Sequence, residues 1–133
     1  MAIFNVEAIK KAPLRSVVDE GWYLVEITKA ATGESKQKHT PSIDIDYSVS
    51  AAPEQLDGRD CTGHRIFQHI YFSDKNSDVS ARTMKQLCKA AGVELDSEEQ
   101  ILEDLVGKEL KIQIKHREYQ GEIQEEVKSY KGA

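Results

Sequence analysis

Cysteine is scarce in this chain, with Cys61 and Cys88 the only two among 133 residues. Two thiols make no disulfide framework, and a reducing compartment is the simpler expectation. Cys61-Thr-Gly-His64 has a ligand-like spacing. Zinc needs three or four ligands, however, and no second pair lies nearby, so no metal site is expected. Long apolar runs are missing too. No stretch approaches the roughly 20 residues that a membrane span requires. Met1 to Val6 lacks the charged and apolar regions of a secretory signal. The expected location is the cytoplasm, with no membrane partner. There is no Gly-rich phosphate loop, no nucleophile elbow and no recognisable His partner for either thiol. Asp44 and Asp46 lie two apart on one strand face. They could hold a divalent cation only with a third ligand from another strand. The chain is therefore expected to be no enzyme and to need no cofactor.

What is present describes an ordinary folded protein. Hydrophobic residues make up 39 % and charged residues 31 % of the chain. The length argues for a single domain, residues 1–133, with a real core. The formal net charge of −5 argues against holding nucleic acid by charge alone. The charge is uneven, though. Residues 93–107 carry six acids and no base, whereas residues 62–92 carry five bases against two acids. Local field steers a ligand more than net charge does.

Hydrophobic periodicity places the elements. Residues 8–12 suggest a helical turn ended by Pro13. A strand is expected over 22–30, with Tyr23, Val25 and Ile27 on one face. Residues 31–42 are polar, contain Gly33 and Pro41, and suggest a mobile loop. A second strand over 43–50 alternates Ile43, Ile45, Tyr47 and Val49 with Asp44, Asp46 and Ser48. A third covers 62–72. The period then changes: Met84, Leu87, Cys88 and Ala91 fall at helical spacing. Gly92 can end that helix. A second short helix is expected over 97–106, with Asp96 and Glu99 resembling a capping box. Strands four and five are expected over 108–118 and 122–130, joined by a turn at Tyr119-Gln120-Gly121.

The run Arg65-Ile-Phe-Gln-His-Ile-Tyr-Phe72 carries the functional signal. Alternation puts Ile66, Gln68, Ile70 and Phe72 on one face and Arg65, Phe67, His69 and Tyr71 on the other. Rings beside cationic groups suit a single strand, whose bases stack while its phosphates meet positive charge. The competing reading buries Phe67 and Tyr71 in a core. Outward-facing Trp22 and Lys29 from strand one, and Lys111, Lys115 and Arg117 from strand four, join the candidate nucleic-acid-binding set. Lys36 and Lys38 in the first loop complete it. Asp44 and Asp46 oppose a phosphate path unless Arg65 and Lys29 pair with them. Tyr119 and Tyr130 are assigned to the turn and to the barrel seam.

Three strands, a helical insertion of one or two helices and two further strands indicate an all-β barrel with a helical insertion. This is the order of the OB-fold, a five-stranded Greek-key barrel. At this point the chain resembles a family of small bacteriophage proteins. They were long grouped as a domain of unknown function and are now placed with OB-fold single-stranded DNA-binding proteins. The resemblance runs over residues 4–130 and rests on short motifs in order. These are Glu20-Gly21-Trp22-Tyr23, Ser35-Lys36, Leu87 with Lys89-Ala90-Ala91-Gly92, Asp104-Leu105-Val106-Gly107-Lys108, Tyr119-Gln120-Gly121 and Val127-Lys128-Ser129-Tyr130. Two features depart from it. Glu126 stands where the family more often has Asn, and Lys131-Gly132-Ala133 replaces the acidic tail of many single-strand binders. Tail-mediated recruitment of partners is accordingly not expected.

The resemblance implies single-stranded DNA binding without strong sequence preference, in phage replication or recombination. It places the protein in the infected host cell cytoplasm. The expected partners are single-stranded DNA and phage replication or recombination enzymes, with a homodimer left open. The rival reading is a protein-interaction module of the same fold, using the acidic segment 93–107.

Overall fold

The computed structural model describes Val6 and residues 17–133 other than 57, 59 and 76, without the side chain of Tyr119. The helical turn expected over 8–12 lies outside the described residues. From Gly21 onward the described residues form, in order, β1 (Gly21–Glu34), β2 (Pro41–Ala51), β3 (Arg65–Tyr71), α1 (Ser77–Ala91), α2 (Glu98–Leu105), β4 (Glu109–Tyr119) and β5 (Glu122–Gly132). The strands form one antiparallel sheet in the order β3-β2-β1-β4-β5.

Strand β1 organises the sheet because it serves two neighbours. Its first residues pair with β4, from Gly21 opposite Ile114 to Glu26 opposite Glu109. From Leu24 onward it also pairs with β2, ending with Glu34 opposite Pro41. The register with β2 shifts between Leu24 and Val25 and between Ile27 and Lys29. Such irregularities sharpen the right-handed twist. Alternation then selects the core. Tyr23, Val25 and Ile27 of β1 and Ile43, Ile45, Tyr47 and Val49 of β2 are buried. Ile66 and Ile70 of β3 and Leu110, Ile112 and Ile114 of β4 join them.

Helices α1 and α2 lie between β3 and β4, as expected. Helix α1 contributes Leu87, Cys88 and Ala91 to the core and packs chiefly on β5. Its end is a Schellman motif. Gly92 takes φ +74, Val93 N–H donates to Cys88 O at 2.8 Å, and Gly92 N–H donates to Lys89 O at 3.3 Å. Helix α2 buries Leu105. Its cap is Ser97, whose Oγ accepts from Gln100 N–H at 3.2 Å, rather than Asp96. The Asp96 carboxylate instead accepts from Ser97 N–H at 2.8 Å.

Two further expectations are corrected. Residues 31–34 belong to β1, because their backbone continues the ladder to residues 41–44 of β2. A polar hairpin that reaches into solvent carries no apolar alternation to announce it. The closed barrel is not formed either. Among the described residues, β3 and β5 share no ladder, and side chains span the seam instead. Tyr47 O–H donates to Gln68 Oε1 at 2.6 Å, and Gln68 Nε2 donates to Tyr130 OH at 2.5 Å. Tyr130 is thus the seam residue the sequence suggested. Beyond Gly21, β4 and β5 continue as a two-stranded arm to a turn in which Gln120 and Gly121 have φ of +51 and +80. Positive φ at both central residues matches the twist of the hairpin.

Candidate nucleic-acid interface

The outer face of β3 presents Arg65, Phe67, His69 and Tyr71 in a row. Phe67 is 44 % and Tyr71 41 % exposed, while Ile66 and Ile70 between them are 1 % and 5 % exposed. The guanidinium carbon of Arg65 lies 6.0 Å from the Phe67 ring centroid. The His69 and Tyr71 rings are 6.1 Å apart and tilted by 31°. Neither Phe67 nor Tyr71 is a core residue, so the competing interior placement of these rings does not hold.

Strand β2 faces this row residue by residue. Ser48 stands opposite Arg65, Asp46 opposite Phe67, Asp44 opposite His69 and Ser42 opposite Tyr71. The two carboxylates have cationic neighbours. Asp46 Oδ2 is 3.9 Å from the Arg65 guanidinium. Asp44 Oδ1 accepts from Ser42 Oγ at 2.9 Å and lies 2.7 Å from His69 Nδ1. Partial burial works against the charged form of Asp44. The hydrogen bonds from His69 and Ser42, with the charges of His69 and Lys29, outweigh it and hold the carboxyl below its usual range. Lys29 of β1 is exposed and stands opposite Asp46. Gly33 makes room for this arrangement, since a Cβ there would collide with Asp44 Oδ2.

Lys36 and Lys38 are exposed on the turn between β1 and β2. The turn is tied by Ser35 N–H to Thr40 O at 2.9 Å and His39 N–H to Ser35 O at 3.1 Å. Thr40 N–H also donates to Ser35 Oγ at 3.0 Å. It adjoins the Tyr71 end of the row, because Phe72 N–H donates to Pro41 O at 2.8 Å.

The remaining expected site residues stand elsewhere. Trp22 is half-buried and pairs with Gln113 on β4. Lys131 Nζ lies 4.3 Å from its ring centroid, so one face of the indole already has a cation over it. Lys111 is half-buried between Leu24 and Lys131 in register. Lys115 and Arg117 lie on the arm, opposite Glu126 and Gln124. The expected set thus divides into a β2–β3 group with Lys29, Lys36 and Lys38, and a β1–β4 group with Trp22. Lys131 was not singled out from sequence; its alternation with Ser129 was the available signal. Glu125 was also missed. Its side chain is 1 % exposed, accepts from Val18 N–H at 2.8 Å and lies 2.8 Å from His64 Nε2. It fastens the arm to the chain on either side of β1 and β2.

The family model for "Protein of unknown function (DUF669)" matches residues 4–133. The chain belongs to this family. No curated protein matches it.

Elsewhere in this family member, Cys61 to His64 forms a turn, with His64 N–H donating to Cys61 O at 2.9 Å. Among the described residues, no three His, Cys, Asp or Glu side chains gather as metal ligands. No described helix is long and apolar enough to cross a membrane. A groove of about 580 Å³ opens between the β1–β2 hairpin and the helices, lined chiefly by Ile43, Phe72, Met84, Leu95, Ile101 and Leu102.

Proposed function

We propose that this protein binds single-stranded DNA without strong sequence preference and that its fold is of OB type. It would protect or present single strands during phage DNA replication or recombination. It acts as a binding protein, not an enzyme. The observation that carries the reading is the exposed row Arg65, Phe67, His69 and Tyr71 on β3. Flat rings accept any base, because every base has a π-face, and neighbouring cations meet the phosphates. The strand order supports the fold reading, since β1 lies between β2 and β4 and the helices fall between β3 and β4. An OB-fold is a partly open five-stranded barrel that binds oligonucleotides on strands two and three and on the loops flanking them. Lys36 and Lys38 on the first such loop fit this path.

The test is a titration of single-stranded and duplex DNA at two salt concentrations. Preference for the single strand is expected. Equal affinity for both forms would remove the stacking reading. The apolar groove beside α2 favours a second reading, a protein-interaction module. That reading gains if single strands do not bind at all.

A further inference from the structure

A surface that holds nucleic acid would be expected to avoid carboxylates, yet Asp46 and Asp44 stand directly opposite Phe67 and His69. Cross-strand neighbours have Cβ atoms about 4.5–5.5 Å apart. Asp46 is therefore the carboxylate that stands beside a base lying on Phe67. Asp46 is flanked on both sides by cations, Lys29 in register on β1 and Arg65 at 3.9 Å on β3. Its charge is therefore largely compensated toward a passing phosphate. Its hydrogen-bonding capacity is not used up, because 3.9 Å to Arg65 is an ion pair without a hydrogen bond. Asp44 differs. Its Oδ1 already meets Ser42 and His69, and its Oδ2 lies against Gly33.

We infer that Asp46 makes the stacking row select against thymine. A base stacked on Phe67 turns an edge toward this carboxylate. Cytosine offers N4–H₂ and adenine N6–H₂, both donors that a carboxylate accepts; thymine offers the acceptor O4 at the same place. The carboxylate therefore favours amine-bearing bases and repels the thymine carbonyl. The result is a bias in base composition rather than a sequence motif. The inference rests on the single-strand reading above and deepens it.

The test compares oligo-dC with oligo-dT of about 16 nucleotides, the upper site size for one such domain. Anisotropy at neutral pH and fixed salt gives both affinities, for the native chain and for Asp46→Asn and Asp44→Asn. Both homopolymers are pyrimidines. The native protein should bind dC about three- to tenfold more tightly than dT. Asp46→Asn should bring the ratio close to one, because an amide can both donate and accept. Asp44→Asn should leave most of it. Freeing Arg65 in Asp46→Asn would raise both affinities together and leave the ratio untouched, as would any merely structural role. A melting curve for each variant confirms folding, and Asp46→Ser serves as a second variant. Equal affinities, or tighter dT binding, in the native protein would overturn the inference while leaving single-strand binding intact. So would a dC preference that survives Asp46→Asn and Asp46→Ser. Binding of neither homopolymer would overturn the single-strand reading and this inference with it.

Discussion

His69 Nδ1 lies 2.7 Å from Asp44 Oδ1 across the β2–β3 ladder, although the two residues are 25 apart in the chain. Together with Arg65 beside Asp46, this contact gives both acids of the outer face a partner on β3. A face compensated within itself draws little on phosphate attraction. On the proposed reading, affinity for a single strand would come mainly from the rings.

Salt dependence measures that division directly. About two to four phosphates neutralised would give a log–log slope near −1.5 to −3 for single-strand binding. Duplex should bind more weakly, because paired bases cannot stack on Phe67 and Tyr71. A much steeper slope would shift the weight from rings to lysines and arginines.

The rings themselves can be removed. Replacing Phe67 or Tyr71 by Ala should cost about 1–3 kcal/mol of single-strand affinity. Their exposure of 44 % and 41 % means that no core cavity is made, so stability should change little. Ile66→Ala and Ile70→Ala should show the reverse, losing about 2–5 kcal/mol of stability. Thermal melts beside binding curves separate the two patterns. A large stability loss at Phe67 with unchanged binding would contradict the placement of the ring outside the core.

Lys36 and Lys38 test the path beyond Tyr71. The turn that carries them is held by Ser35, His39 and Thr40, not by the lysines. The double change to Ala should therefore leave the melting temperature almost unchanged. Single-strand affinity should fall, and the salt slope should become shallower by about 1 for each phosphate that is no longer neutralised. Unaltered affinity would move the phosphate path toward Lys111, Lys115 and Arg117.

The seam between β3 and β5 is expected to matter for stability and not for binding. Gln68→Ala removes the acceptor of the Tyr47 hydroxyl and the donor to Tyr130. Leaving buried polar groups without their partner should cost about 1–3 kcal/mol in urea unfolding. The affinity of the folded protein for single strands should stay as it was, since Gln68 points away from the outer face.

Alkaline pH should weaken the same region. Burial pushes the Tyr47 hydroxyl well above its ordinary value, and burial raises Tyr130 and Tyr23 as well. The unfolded chain therefore loses these protons first. Stability from the neutral hydroxyls is full below the ordinary tyrosine value of about 10 and declines as pH rises past it toward the folded values. Unfolding followed by circular dichroism should coincide with tyrosinate absorbance from the buried rings. Ionisation of all tyrosines at about 10 with the fold intact would contradict their burial.

Alternation alone divided Ile43, Ile45, Tyr47 and Val49 from Asp44, Asp46 and Ser48, because only one set can leave water without a partner. It also put Ile66 with Ile70, and Phe67 with Tyr71, on opposite faces of β3. Helical spacing and glycine placed both helices, since the period of an amphipathic face and a left-handed end are local properties. Which apolar face of β3 lay inside was not local, because both carry large apolar side chains. Only packing beside Tyr47 and Ile45 decided it. The polar continuation of β1 to Glu34 had no apolar signal and follows from the ladder to β2. The pairing of Asp44 with His69 depends on register between strands, and register is set by the whole sheet. The open seam and its Tyr47–Gln68–Tyr130 bridge join residues far apart in the chain. The division of the expected site has two causes: β1 and β2 intervene between Lys111 on β4 and the β3 row, and Trp22 on β1 precedes the ladder to β2, which begins at Leu24. Residue types named the chemistry of the face; the order of strands decided which of those residues could act together.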